Sequence, residues 1–179
     1  DPLEFRRKML KPKHLAVLNA AAEGAGYGKA PAGTYHGLAQ FMGYGSYVAA
    51  CAEVSVSADG RLKIHRIVAA TNPGHAVNPA QIERQVAGSF VYGLSAALYG
   101  ECTVSGGAIE QSNFDSYNVM RIDEMPKVEV VIRPTGDFWG GVGEPTISVA
   151  APAVLNAIFA ATGKRIRSLP LKDQDLKRV

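Results

Sequence analysis

A chain of 179 residues with 47% apolar and 20% charged residues has the make-up of an ordinary globular protein, enough for one packed core or at most two small lobes. Its net charge of +3, from 19 basic and 16 acidic residues scattered along the chain, excludes the continuous basic face of a nucleic-acid binder. No stretch reads as a membrane helix, and Cys51 and Cys102 form no CxxC pair, which argues against a zinc or iron–sulfur site of the chain's own. A disulfide between them stays open, with two buried thiols the favoured reading. The sequence starts at Asp1 without a Met and reads as a piece of something longer.

The basic run FRRKMLKPKH reads as a solvated segment. Residues 12–23, PKHLAVLNAAAE, predict a helix, with Pro12 in the first turn and Leu15 and Leu18 on one face. A Gly/Pro loop ends it, and residues 35–42 alternate weakly as a strand. The stretch YVAACAEVSVSADGRLKIHRIVAAT holds two alternating runs around Ala58-Asp59-Gly60, the pattern of an antiparallel hairpin.

After a turn-rich loop, Asn78, Pro79 and Gln81 form a helix start of capping-box type. Ile82, Val86, Phe90, Leu94 and Leu98 then carry a helix to about residue 98. Gly88 and Gly93 each cost that helix about 1 kcal/mol, so something must approach it closely there, a backbone or a ligand. Residues 101–110 suggest a second hairpin turning at Gly106-Gly107, and 127–132 a strand. Residues 149–162 read as a helix capped by Ser148, with Pro152 in its first turn and Gly163 at its end. The segment IRSLPL closes the chain as a short strand. The sum is a single α+β domain over 1–179: small mixed or antiparallel sheets packed with two or three helices.

Chemistry concentrates in GGVGEP. Glu144 lies before the last helix, whose free N–H groups stabilise an anion. Gly140, Gly141 and Gly143 let the backbone approach a ligand, and Pro145 restricts the acid's own backbone. An acid fixed at the edge of such a loop suits a general base; a capping acid in a tight turn is the plainer reading. Gln85, on the first turns of the 78–98 helix, offers an amide to a polar ligand or simply to water. His14, His36, His65 and His75 have no ligand-like spacing, and neither a GxSxG elbow nor a P-loop occurs.

Three stretches together, NPGHAVNPAQIERQVAGSFVYGLSAALYGE, NFDSYNVMRIDEMPKVEVVI and GGVGEPTISVAAPAVLNAIFAATGKRIRSLPL, resemble the C-terminal part of the molybdenum-cofactor subunit of the xanthine oxidase and aldehyde oxidase family. The wording is nearest the isoquinoline 1-oxidoreductase beta-subunit type. The resemblance implies oxidation of a small aldehyde or N-heterocycle with oxygen from water, at a molybdenum centre held by a pterin dithiolene rather than by protein side chains. It implies Glu144 as the general base, Gln85 as a hydrogen-bonding partner of the pterin, and Gly143 as the backbone position beside the metal.

Family subunits are several times longer. The resemblance therefore implies a C-terminal fragment of a molybdopterin-binding subunit that is inactive alone. Its partners would be the N-terminal part of the same subunit and an iron–sulfur subunit carrying the clusters, and the isolated piece would be prone to form a homodimer. A non-catalytic interaction module that kept the fold is the alternative. Substrate, electron acceptor and compartment, bacterial cytoplasm or periplasm, stay open.

Overall fold

The alternation around Asp59-Gly60 builds the centre of the molecule. In the computed structural model, which describes residues 1–178, β2 (Ser46–Val56) and β3 (Leu62–Asn72) pair antiparallel from Tyr47↔Asn72 to Val56↔Leu62. Gly60 takes the left-handed backbone (φ 88°) that the tight turn needs. β1 (Tyr35–Gly43) pairs antiparallel with β2, and β6 (Lys127–Ile132) lies parallel to β3, giving the order β1-β2-β3-β6. A parallel neighbour needs a long crossover. Here it spans residues 73–126 and carries α3 (Pro79–Leu98) and a two-residue ladder, β4 (Val104–Ser105) with β5 (Ala108–Ile109).

The alternation in β2 fades into VAACAEV because both faces of the sheet are covered. Val48, Ala50, Ala52 and Val54 face α3 and α4 (Glu144–Thr162), whereas Ala49 and Cys51 face α2 (Pro12–Ala25). Both sets are essentially inaccessible to solvent. Small side chains on the strands let the helices sit low. At Gly37 in β1 there is no room for even a Cβ, because the backbone of α4 at Ala153–Ala157 lies against it. The α+β class holds, with helical layers on both sides of one four-stranded sheet and, among the described residues, four helices rather than two or three.

Several local expectations are corrected. The basic N-terminal run is helical, half in α1 (Pro2–Met9) and ending in the first turn of α2; α1 is capped by Asp1, whose carboxylate accepts from the Leu3 and Glu4 amides. Every residue of that run is exposed or half-buried, as expected of a solvated segment; the buried anchor of α1 is Leu3, outside the run, and Arg7 donates to Asn19. α4 starts at Glu144, five residues before the expected start, with Pro145 in its first turn; Ser148 is therefore no cap and Pro152 lies inside the helix. Residues 164–170 form no strand; a short 3-10 turn, Leu171–Asp173, follows instead. Cys51 is buried, with burial pushing its thiol up to about 12, but Cys102 is exposed and both are free thiols. By length and composition α4 would pass for a membrane-crossing helix; Val149, Ala150, Ala153, Val154, Ala157 and Ile158 are instead its fully buried core face.

Candidate functional site

The helices α3 and α4 meet along a seam, and the site lies at its open edge. Asn78 starts α3 as expected, its side chain accepting from the Gln81 amide at 3.3 Å. From there the residues near every fourth position turn inward: Ile82, Val86, Phe90 and Leu94 enter the core. Gln85, Gly88 and Tyr92 fall on a neighbouring stripe, at the spacings that keep side chains on one helical face. They line a hollow of about 310 Å³ together with Ser89, Gly143, Glu144 and Ile147.

The two helix glycines have different reasons. A Cβ at Gly93 would stand 2.6 Å from Ala150 Cβ and 3.0 Å from Ile147 O, so α4 itself is what approaches α3 there. At Gly88 nothing lies within 4 Å, and the missing side chain leaves the hollow open. Between them, Ser89 and Thr146 pin the seam from below. Their hydroxyls are 2.5 Å apart and buried, Ser89 also donates to Val86 O at 2.6 Å, and Thr146 lies 3.1 Å from Gly143 O.

The glycine loop is likewise divided. Gly141 N donates to Tyr44 O (2.8 Å), Ser46 Oγ donates to Gly141 O (2.6 Å), and Gly140 N donates to Pro73 O (2.9 Å). A Cβ at Gly140 would run into Gly45 and Ser46, and one at Gly141 would stand 3.2 Å from Tyr44 Cβ. Those two glycines thus serve contact with the β1–β2 turn, not with a ligand. Gly143 alone borders the hollow, where a Cβ would stand 3.7 Å from Gln85 Nε2. Trp139, mostly exposed, stacks on His75 with ring centroids 4.1 Å apart and holds the loop's far side.

The fold therefore brings Gln85, Gly143 and Glu144 to one place from segments almost 60 residues apart in sequence. Glu144 is the first residue of α4, where the unsatisfied N–H groups favour a negative charge. Both Glu144 and Gln85 are exposed, and neither makes a side-chain hydrogen bond among the described residues. Ser89, one turn beyond Gln85, is visible in the sequence, but its partner Thr146 and the wall residue Tyr92 are not; the seven-residue spacing of Tyr92 from Gln85 is the signal that reveals the latter. Among the described residues no group of three His, Cys, Asp or Glu side chains is placed to hold a metal ion.

A four-stranded sheet between helical layers, with an amide, an acid and a bare backbone position at one helix seam, is an α+β domain with a candidate site at that seam. The chain belongs to the molybdopterin cofactor-binding domain family, whose model matches residues 8–126. It is 30% identical to the beta subunit of the isoquinoline 1-oxidoreductase of Brevundimonas diminuta over 96% of this chain and 23% of that protein. It is 29% identical to a nicotinate dehydrogenase subunit of Pseudomonas putida, over 96% of this chain and 16% of the relative. The aldehyde oxidoreductase structure from Desulfovibrio gigas superimposes with a TM-score of 0.59 at 28% identity, covering 71% of this chain and 15% of that one. The chain thus spans about a quarter or less of the relatives it matches.

Proposed function

We propose that this chain forms the C-terminal wall of a molybdenum–pterin site in an oxidoreductase that hydroxylates a small aldehyde or N-heterocycle. The observation that carries the reading is the meeting of Gln85 and Glu144 at one open hollow. The residues present suit such a cofactor. They offer hydrogen-bonding groups and a side-chain-free backbone position rather than metal ligands, as a metal held by its own organic ligand requires.

When bound, the cofactor would supply two-electron oxidation and a water-derived oxygen. Gln85 would hold the pterin through its amide, which can donate and accept at once. Gly143 would let the metal end of the cofactor approach the backbone. Glu144 would take the proton released as that oxygen is activated. The Ser89–Thr146 pair fixes the relative position of Gln85 and Glu144, since it ties α3 to the first turn of α4.

The rest of the site would come from the longer polypeptide, and the clusters that carry electrons away from an iron–sulfur subunit. The isolated chain, as a fragment, would retain little cofactor and show no turnover. Its exposed rim, with Tyr92 at 74% and Trp139 at 71%, would favour association of two copies when nothing else covers it.

The test is made in the complete assembly. Glu144→Gln should abolish oxidation of aldehydes and N-heterocycles while molybdenum content stays near that of the parent, and Gln85→Ala should lower cofactor content. Oxygen from labelled water should appear in product. Retained turnover in Glu144→Gln removes the base assignment. An assembly that carries no molybdenum favours a module that kept the fold and lost the chemistry.

A further inference from the structure

At the other end of α4, about 20 Å along the helix from Glu144, lies a second cavity of about 370 Å³. It is enclosed by α1, the start of β1, the loop after α2 and the last turns of α4. Two guanidinium groups reach it. Arg6 Nη1 donates to Pro2 O at 3.0 Å and Nη2 to Leu38 O at 3.3 Å. Arg165 Nη1 donates to Asn156 Oδ1 at 2.9 Å, its guanidinium 3.5 Å above the Phe159 ring. Asn156 is itself fixed by donating to Leu38 O at 2.9 Å.

Both arginines are thus oriented by neutral acceptors, and among the described residues neither forms an ion pair. Arg7, Arg61 and Arg66, by contrast, each meet a carboxylate within 2.8 Å. Glu53, 3.2 Å from His36 Nε2, and Asp1, 3.4 Å from the Tyr27 hydroxyl, contact lining residues, but no carboxylate lines the cavity among the described residues. His36 does line it, with a side chain only 4% exposed, and its buried Nδ1 has no hydrogen-bond partner.

We propose that this cavity is a second binding site, for a small organic oxyanion: a carboxylate or phosphate monoester with an aromatic or apolar body. Fixed guanidinium forks match carboxylate and phosphate oxygens in geometry as well as charge. Leu38, Phe159 and Ala160 supply apolar wall for the body, and the volume suits a small molecule rather than a bare ion. The site shares no residue with the hollow at Glu144.

The test is calorimetric titration of phenyl phosphate, benzoate and inorganic phosphate into the longest natural polypeptide containing this chain. The aromatic anions should bind saturably, one per chain, with inorganic phosphate weaker. Affinity should fall about tenfold in Arg6→Gln and in Arg165→Gln, as for loss of one charge-assisted bond, and vanish in the double variant; Glu144→Gln should bind like the parent.

Ala160→Trp, at an exposed helix position on the cavity wall, should block binding without touching either guanidinium, so the idea stays testable if the arginine variants misfold. No binding of the aromatic anions at millimolar concentration overturns the proposal, as does unchanged affinity in the folded double variant. So does a cross-linked acidic side chain of the longer polypeptide, bridging both arginines and undisplaced by the anions.

Discussion

The α3–α4 seam has two edges built from the same two helices, and they differ in what fills them. On the inner edge Gly93 meets Ala150, and Phe90 and Leu94 pack against the core with no solvent access. On the outer edge, four or five residues away along α3, Gln85 and Gly88 face open space and the acid at the start of α4. Close packing on one side fixes the separation of the helices; the other side uses that fixed separation to hold polar groups apart. A glycine therefore has opposite meanings at positions five residues apart.

That comparison can be broken or sharpened by substitution. The largest effect is expected for Glu144→Gln in the complete assembly: a loss of roughly 10²–10⁴-fold or more in turnover, as for removal of a general base, with molybdenum content and melting temperature near those of the parent. Phe90→Ala should remove about 3–5 kcal/mol of folding stability, read by urea unfolding.

Gly93→Ala and Gly88→Ala make the sharpest pair. The first must force Ala150 and Ile147 aside and should destabilise by about 1–3 kcal/mol, even after the helix gains from losing a glycine. The second fills empty space and should stabilise by up to about 1 kcal/mol, while lowering cofactor retention in the assembly. Equal effects at the two positions would contradict the division of the seam.

The smallest effect lies on the sheet edge, away from both. Arg66, through hydrogen bonds of 2.9 and 2.7 Å, and then Lys127 lower the Glu129 carboxylate to about 2 from an ordinary 4.5. Because the folded value is depressed, this pair contributes stability above about pH 4.5 that is lost as pH falls towards 2. Glu129→Gln should therefore lower the thermal midpoint slightly at pH 6. The difference should close across that acid window, and it should be modest because the pair is partly exposed.

Much of the frame was legible because its signals are local. Asp59-Gly60 announces the hairpin, and Asn78-Pro79 with the spacing of Ile82, Val86, Phe90 and Leu94 announces α3. The failures came where a long-range contact overrode a local rule. Pro145 and Pro152 both argue for a later start of α4, and the residue before a proline usually stays extended. Yet Glu144 is helical, because the loop ahead of it is clamped to Tyr44, Ser46 and Pro73.

The parallel pairing of β6 with β3 has no turn chemistry to announce it. The candidate site divides in the same way. Glu144, Gly143 and Gln85 were visible as types in a pattern and through resemblance. The neutral acceptors that aim Arg6 and Arg165 at one cavity come from α1, β1 and α4, which only the folded chain brings together.

The long crossover between β3 and β6 has one more consequence. Its outer part carries exposed apolar side chains at Val104, Ile109, Phe114 and Ile122 and lies between the segment that supplies Gln85 and the one that supplies Glu144. A single proteolytic nick in it would divide the chain into two pieces, one ending after α3 and one containing β6 and α4. Strand register and the seating of α4 on Gly37 would hold the two together without a covalent link. Reunion of the two pieces would be read out by the restored proximity of positions 85 and 144.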